Sequence, residues 1–207
     1  MSTLKKVCIV NYGSGNTRSV FNIFKDIEPS TILTSEEKDI RAATHLVLPG
    51  VGAFGPVAEK IRALPVFNAL QDEVLNKKKL FLGICVGMQL LADQGFEHGV
   101  HAGFGWIPGQ VKKLDSKGLS LPHVGWNNFS EVQDNSLLKG IGTSMDFYFV
   151  HSYAFEAKDQ THVIASSEYG SKFTAVINKE NIYGVQFHPE KSQKAGKILL
   201  ENFLKLT

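Results

Sequence analysis

The order of apolar runs along this chain predicts an α/β fold: an open mixed sheet with a parallel core, flanking helices and additional antiparallel strands. Three observations carry that expectation. Up to Ala92, short apolar strands alternate with stretches of helical period. From Gly95 to Gly184 the chain turns to glycine, aromatics and short β-like runs joined by turns. A helix with one apolar face then closes it. No repeat, low-complexity tract or linker interrupts the pattern, so residues 1–207 read as a single domain.

Taken in order, Val7–Val10 reads as a buried strand, Asn11–Gly15 as a turn and Asn16–Ile27 as a helix. Thr31–Thr34 is a short strand, and His45–Leu48 is another, stopped by Pro49-Gly50. Val57–Arg62 and Val66–Lys77 read as helices broken at Pro65. Leu80–Ile84 is a strand and Gly87–Ala92 a helix. The antiparallel part is expected at Trp106–Pro108, Val111–Leu114, Phe147–Val150, Val163–Ser167, Thr174–Asn178 and Ile182–Val185. Lys191–Leu206 is the closing helix, with Ala195, Ile198, Leu199, Phe203 and Leu206 on one face. Ligands of such sheets bind outside the carboxyl ends of the parallel strands.

Composition excludes several classes of function. Hydrophobic residues make up 43% and the net charge is +2, which argues for a globular protein with neither a nucleic-acid nor a membrane partner. The two cysteines, Cys8 and Cys85, form no disulfide framework and no CxxC pair, so a reducing, cytoplasmic compartment is expected. The first residues hold a short apolar strand rather than a signal peptide, and no apolar run approaches the ~20 residues of a spanning helix.

Cys85 lies in KLFLGICVGMQLLAD, residues 79 to 93. Strand, sharp turn and helix follow one another, with a nucleophile-type residue at the turn. That is the logic of a nucleophile elbow. Gly83 and Gly87 bracket the cysteine and let strand and helix pass closely. The helix N-terminus is then expected to favour thiolate over thiol. A cysteine nucleophile needs a base, and the base needs an orienting group. VQFHPEKSQ, residues 185 to 193, supplies both. His188 and Glu190 are two apart, so in an extended segment they point to one side. Pro189 stiffens the unit. Cys85 attacks, His188 moves protons and Glu190 holds the imidazole. Oxyanion donors are expected from the N–H of Val86 and from Val51 or Gly52 in the glycine-rich run LPGVGAFG.

GICVGMQ, PGVGAFG and VQFHPEKSQ resemble the three signatures of class I (triad) glutamine amidotransferases, in the right order and over essentially the whole chain. The fold expected is that family's. NYGSGN, Met88 before Gln89, LPHVGWN, YFVHSY and EKSQ are similar to the glutaminase subunits of imidazole glycerol phosphate synthases. Glutaminases serving anthranilate and aminodeoxychorismate synthases usually carry His where Met88 stands. The resemblance implies attack of Cys85 on the glutamine side-chain amide, with a γ-glutamyl thioester, ammonia and glutamate as products. It implies glutamine contacts at Gly52, Gln89 and Glu97 and at backbone groups of Ser152 and Tyr153. It further implies a (β/α)₈-barrel cyclase partner that receives the ammonia and acts on a ribulosyl nucleotide in histidine biosynthesis. A chain of 207 residues leaves no room for that barrel, so a separate subunit is expected. Asn16, Trp126, Tyr148 and Lys191 are the implied interface residues. No cofactor and no metal are expected.

Rival readings are the same chemistry serving another synthase, a cysteine hydrolase of peptides, or a non-catalytic scaffold that kept the fold. Met88 with EKSQ, the glutamine contacts and the intact triad set weigh against them in turn. Gly13-Ser14-Gly15 lacks the third glycine of a dinucleotide fingerprint, since Arg18 stands there. His98 and His101 have no third ligand nearby. Asn128-Phe129-Ser130 matches a glycosylation sequon without a secretory context. Lys77–Lys79 reads as a solvated helix end, and Cys8 as a buried strand residue.

Overall fold

The structure is a computed structural model and describes residues 5–13 and 16–207. The expected turn at Asn11–Gly15 lies partly outside the described residues. The N-terminal half alternates strands and helices: β1 (Val7–Val10), α1 (Thr17–Ile27), β2 (Ile32–Thr34), α2 (Glu37–Ala42), β3 (His45–Gly50), α3 (Phe54–Arg62), α4 (Phe67–Gln71), β4 (Leu80–Cys85) and α5 (Val86–Gln89). Short strands β5 (Gln94–Gly95) and β6 (His101–Ala102) follow. Then come β7 (Gly109–Lys113), β8 (His123–Asn128), β9 (Glu131–Val132), β10 (Asp146–His151), β11 (Tyr153–Ala157), β12 (Val163–Tyr169), β13 (Ser171–Lys179), β14 (Ile182–Val185) and α6 (Gln193–Lys205).

The main sheet has eight strands in the order β2-β1-β3-β4-β14-β13-β12-β9. Its first five are mutually parallel, and the last three run antiparallel to their neighbours. Strands β1, β3 and β14 are buried at every position, as parallel strands covered on both faces must be. A second sheet, β11-β7-β5-β6, and a ribbon of β10 with β8 complete the molecule. One cluster of buried apolar side chains runs from Val7 to Leu204. Among the described residues no helix is long and apolar enough to cross a membrane.

Several expectations need correction. Pro49-Gly50 does not stop β3; both residues stay paired, Pro49 with Ile84 and Gly50 with Cys85. Trp106–Pro108 is not a strand. The N–H groups of Trp106 and Ile107 donate to the Leu91 carbonyl, and Pro108 has none to give. The helix after Cys85 spans four residues rather than reaching Ala92. Val66–Lys77 is helical but changes pitch: beyond Gln71 it widens, and the Lys77 N–H donates to the carbonyl of Asp72, five residues back. Lys77 and Lys78 are exposed, as a solvated helix end should be, whereas Lys79 is largely covered; Lys77 and Lys79 also form ion pairs. Both reach the buried carboxylate of Glu73 at 2.6 Å, with Arg41 at 3.3 Å. α2, β8, β11 and the two-residue strands were not anticipated. Cys8 is buried, as expected, and burial pushes its thiol up to about 12.

The register places the site. Gly50 of β3 lies beside Cys85 of β4, and Ile84 lies beside Val185 of β14. Three neighbouring parallel strands therefore release their chains at one level of the same sheet edge. From β3 comes Val51-Gly52, from β4 the elbow, and from β14 the segment Gln186 to Glu190.

Candidate active site

Cys85 has φ 55° and ψ −112°, a left-handed conformation that a side chain other than glycine adopts only under constraint. The constraint is visible on both sides of it. A Cβ at Gly87 would sit 2.0 Å from the Leu48 carbonyl oxygen, and one at Gly83 would sit 2.5 Å from the Gly87 oxygen. Strand and following turn thus touch backbone to backbone, and the thiol is thrown outward. Because α5 has only four residues, the turn offers nearby N–H groups rather than the dipole of a long helix.

His188 follows β14 in extended geometry, with φ −102° and ψ 94°. Its N–H donates to the Tyr148 carbonyl at 2.8 Å, and its own carbonyl accepts from the Ser192 hydroxyl at 2.6 Å. The backbone is therefore clamped before the imidazole does anything. Glu190 Oε1 lies 2.8 Å from His188 Nδ1, and both side chains are almost wholly buried. Burial pulls the imidazole down, but hydrogen bonds with Cys85 and Glu190, and the charges of both, outweigh it and push His188 up to about 10.

A cavity of about 280 Å³ opens over the sulfur. Its lining includes Val51, Gly52, Cys85, Val86, Gln89, Glu97, Ser152, Tyr153, His188 and Lys191. Every residue expected to attack, move protons, hold the oxyanion or bind substrate meets there, except Glu190, which stands behind His188. Glu97 is no free loop acid: its Oε2 accepts the Phe54 N–H at 2.8 Å, at the start of α3. The interface candidates also cluster. Trp126 and Tyr148 are cross-strand partners on the outer face of the β8–β10 ribbon, their rings edge to face at 5.8 Å. Lys191 Nζ stands 5.5 Å from the Tyr148 ring centroid. Trp126 is 49% exposed, which removes the alternative of a core aromatic. Asn16 is different: it is buried, and its amide donates to Glu190 Oε1 at 3.4 Å.

Two neighbours of the sulfur were missed. Gln186 is fully buried; its Nε2 lies 3.9 Å from Cys85 Sγ, and its Oε1 accepts from Gln89 Nε2 at 3.1 Å. It stands two residues before His188, so strand alternation was the available signal. Val150 offers its carbonyl to the thiol at 3.9 Å, a backbone contact that side-chain identity cannot announce. A larger cleft of about 450 Å³ lies by Lys112, Phe155 and Lys172 and holds no cysteine or histidine.

The model of the class-I glutamine amidotransferase family matches residues 8–206. The chain belongs to that family. Among curated relatives, the imidazole glycerol phosphate synthase subunit HisH of Leptospira interrogans is 40% identical to this amidotransferase, covering 96% of this chain and 98% of that one. Subunit HisH 1 of Campylobacter jejuni is 42% identical, covering 97% and 100%. The solved structure of PurLQS from Thermotoga maritima superposes with a TM-score of 0.73 at 19% identity, covering 98% of this amidotransferase and 99% of that chain. The last likeness speaks for the fold alone.

Proposed function

We propose that this amidotransferase hydrolyses glutamine to glutamate and ammonia through Cys85, His188 and Glu190, as the glutaminase subunit of an imidazole glycerol phosphate synthase. The observation that supports it most is the meeting of a strained elbow cysteine with a clamped His188–Glu190 pair at 2.8 Å, inside the cavity that carries the glutamine-pocket residues.

Cys85 Sγ, its proton given to His188, adds to the side-chain amide carbon. The oxygen becomes an oxyanion, met by the N–H of Val86 and that of Val51 or Gly52. His188 returns the proton to the amide nitrogen, the C–N bond breaks, and ammonia leaves a γ-glutamyl thioester on Cys85. Water, deprotonated by His188, then attacks the thioester carbon; glutamate departs and the thiol is restored. Glu190 keeps the imidazole oriented throughout. Gln89, Glu97 and the backbone of Ser152 and Tyr153 hold the substrate's polar groups, the Glu97 carboxylate facing its ammonium.

The identity with HisH subunits of about 40% over nearly the full chain extends the reading to a partner. That partner is a (β/α)₈-barrel cyclase in the cytoplasm, which takes up the ammonia and converts a ribulosyl nucleotide to imidazole glycerol phosphate and an aminoimidazole carboxamide ribotide. The Trp126–Tyr148–Lys191 cluster beside His188 supplies the docking face, and partner binding there gates the triad. Glutamine turnover measured with the chain alone, with the cyclase, and with cyclase plus nucleotide tests this. Turnover rises stepwise if the reading is right; full turnover by the chain alone contradicts the gating.

A further inference from the structure

Resting on that function, we propose that His123 and His151 are positioning residues: a hydrogen-bonded pair of imidazoles that fixes the Tyr153 carbonyl, and with it the Gln89 amide, in the wall of the glutamine pocket.

The two histidines face each other directly across the β8–β10 ribbon. Their side chains point inward, opposite to Trp126 and Tyr148. His123 Nδ1 lies 3.0 Å from His151 Nε2, and His151 Nδ1 lies 3.0 Å from the Tyr153 oxygen. A carbonyl only accepts, so His151 carries its proton on Nδ1 and accepts at Nε2. His123 must then donate from Nδ1 and accept at Nε2, where the Asn127 amide nitrogen stands at 3.3 Å. Asn127 cannot turn round. Its nitrogen also donates to the Glu168 carbonyl at 2.9 Å, and its oxygen accepts the Asn128 N–H at 2.8 Å. One direction of donation is therefore imposed from Asn127 to Tyr153.

A charged ring would break that order by setting donor against donor. Burial holds both rings neutral, pulling His123 down to about 4 and His151 to about 3. Aromatic packing fixes their planes as well. Tyr169 stacks on His123 at 4.1 Å, and Phe173 lies 4.8 Å from His151.

The chain of donors ends at the pocket, whose lining includes His151 as well as Tyr153. Across the Tyr153–Lys113 pair, the Leu114 N–H donates to the Ser152 oxygen at 2.9 Å. The polar backbone groups of Tyr153 itself therefore face away from β7. Its carbonyl accepts both the His151 ring and Gln89 Nε2, the latter at 2.9 Å. Both lone pairs are used, so the peptide plane and the Gln89 side chain are pinned together. The Tyr153 N–H lies on that same edge.

The test measures glutamine turnover by the complex with the barrel cyclase and its nucleotide, alongside the melting temperature of each variant. His151→Leu removes the donor, His123→Leu removes the group that sets its tautomer, and His151→Asn keeps a donor near the Nδ1 position. His151→Leu is expected to raise KM for glutamine about tenfold or more while kcat falls less, since ground-state binding is what is lost. His123→Leu shifts KM in the same direction, and His151→Asn restores KM to within about threefold of wild type. An unchanged KM in His151→Leu overturns the inference. So does a His151→Asn variant as impaired as His151→Leu, because ring packing alone would then explain both. If His151→Leu does not fold, His123→Leu decides: a raised KM supports the inference and a wild-type KM overturns it. A wild-type complex with no glutamine turnover would instead overturn the proposed function and the inference with it.

Discussion

At the scale of single residues, the site is a set of backbone constraints that leave one sulfur and one imidazole facing each other. Cys85 sits at φ 55° because Gly83 and Gly87 permit no side chain between strand and turn. Gly87→Ala is expected to remove glutamine turnover and to cost on the order of 1–3 kcal/mol of stability, since its Cβ would overlap the Leu48 oxygen. Urea unfolding with a wild-type midpoint would contradict this. His188→Asn removes the proposed base and acid and should lower kcat about 10²–10⁴-fold. Glu190→Gln keeps the size of the group but not its charge. It should cost less than His188→Asn, and kcat measured against both shows whether orientation or charge dominates.

Among the elements, what the sequence announced was the buried half. Short runs without polar residues, such as Val7–Val10 and Leu80–Ile84, read as strands of a covered sheet, and they are. The His188–Glu190 pairing was legible because Pro189 and the two-residue spacing restrict its geometry locally. The β8–β10 ribbon was half legible. Its inner face, Phe147 and Phe149, looks like a strand, whereas His123 to Asn128 alternates between histidine, glycine and asparagine inside and valine and tryptophan outside. Polar groups face inward there because each finds a hydrogen bond, and a propensity argument has no access to that pairing. Pro49 was misleading for a similar reason: the pairing of β3 with β4 tolerates it, while its type suggests an end. The exposed face of the ribbon carries a prediction of its own. Trp126→Ala should weaken association with the barrel cyclase by about 2 kcal/mol or more, near thirtyfold in Kd, with the melting temperature unchanged. Equal affinity in a titration would remove Trp126 from the interface.

For the whole molecule, buried histidines set opposing pH responses. His45, His123 and His151 have folded values pulled down to about 4, 4 and 3 by burial. Each contributes stability that is present above its unfolded value of about 6.5 and lost as pH falls toward the folded one. His188 is pushed up to about 10, so its contribution is complete below about 6.5 and lost as pH rises through 10. Stability should therefore peak near neutral pH and fall with acid at up to about 1.4 kcal/mol per pH unit for each unfolded-state proton taken up. Urea midpoints measured from about pH 8 down to about pH 4.5 check the sign; a midpoint that stays level below about pH 6 contradicts it. The same framework carries the chemistry, since three parallel strands ending at one level bring Val51, Cys85 and His188 together. The role of Cys85 is measured most directly by comparing wild type with Cys85→Ala in the synthase complex, using glutamine and then ammonium as nitrogen source. Loss of glutamine hydrolysis with ammonium-driven synthesis preserved is the predicted result; glutamine turnover near wild type in Cys85→Ala would contradict it.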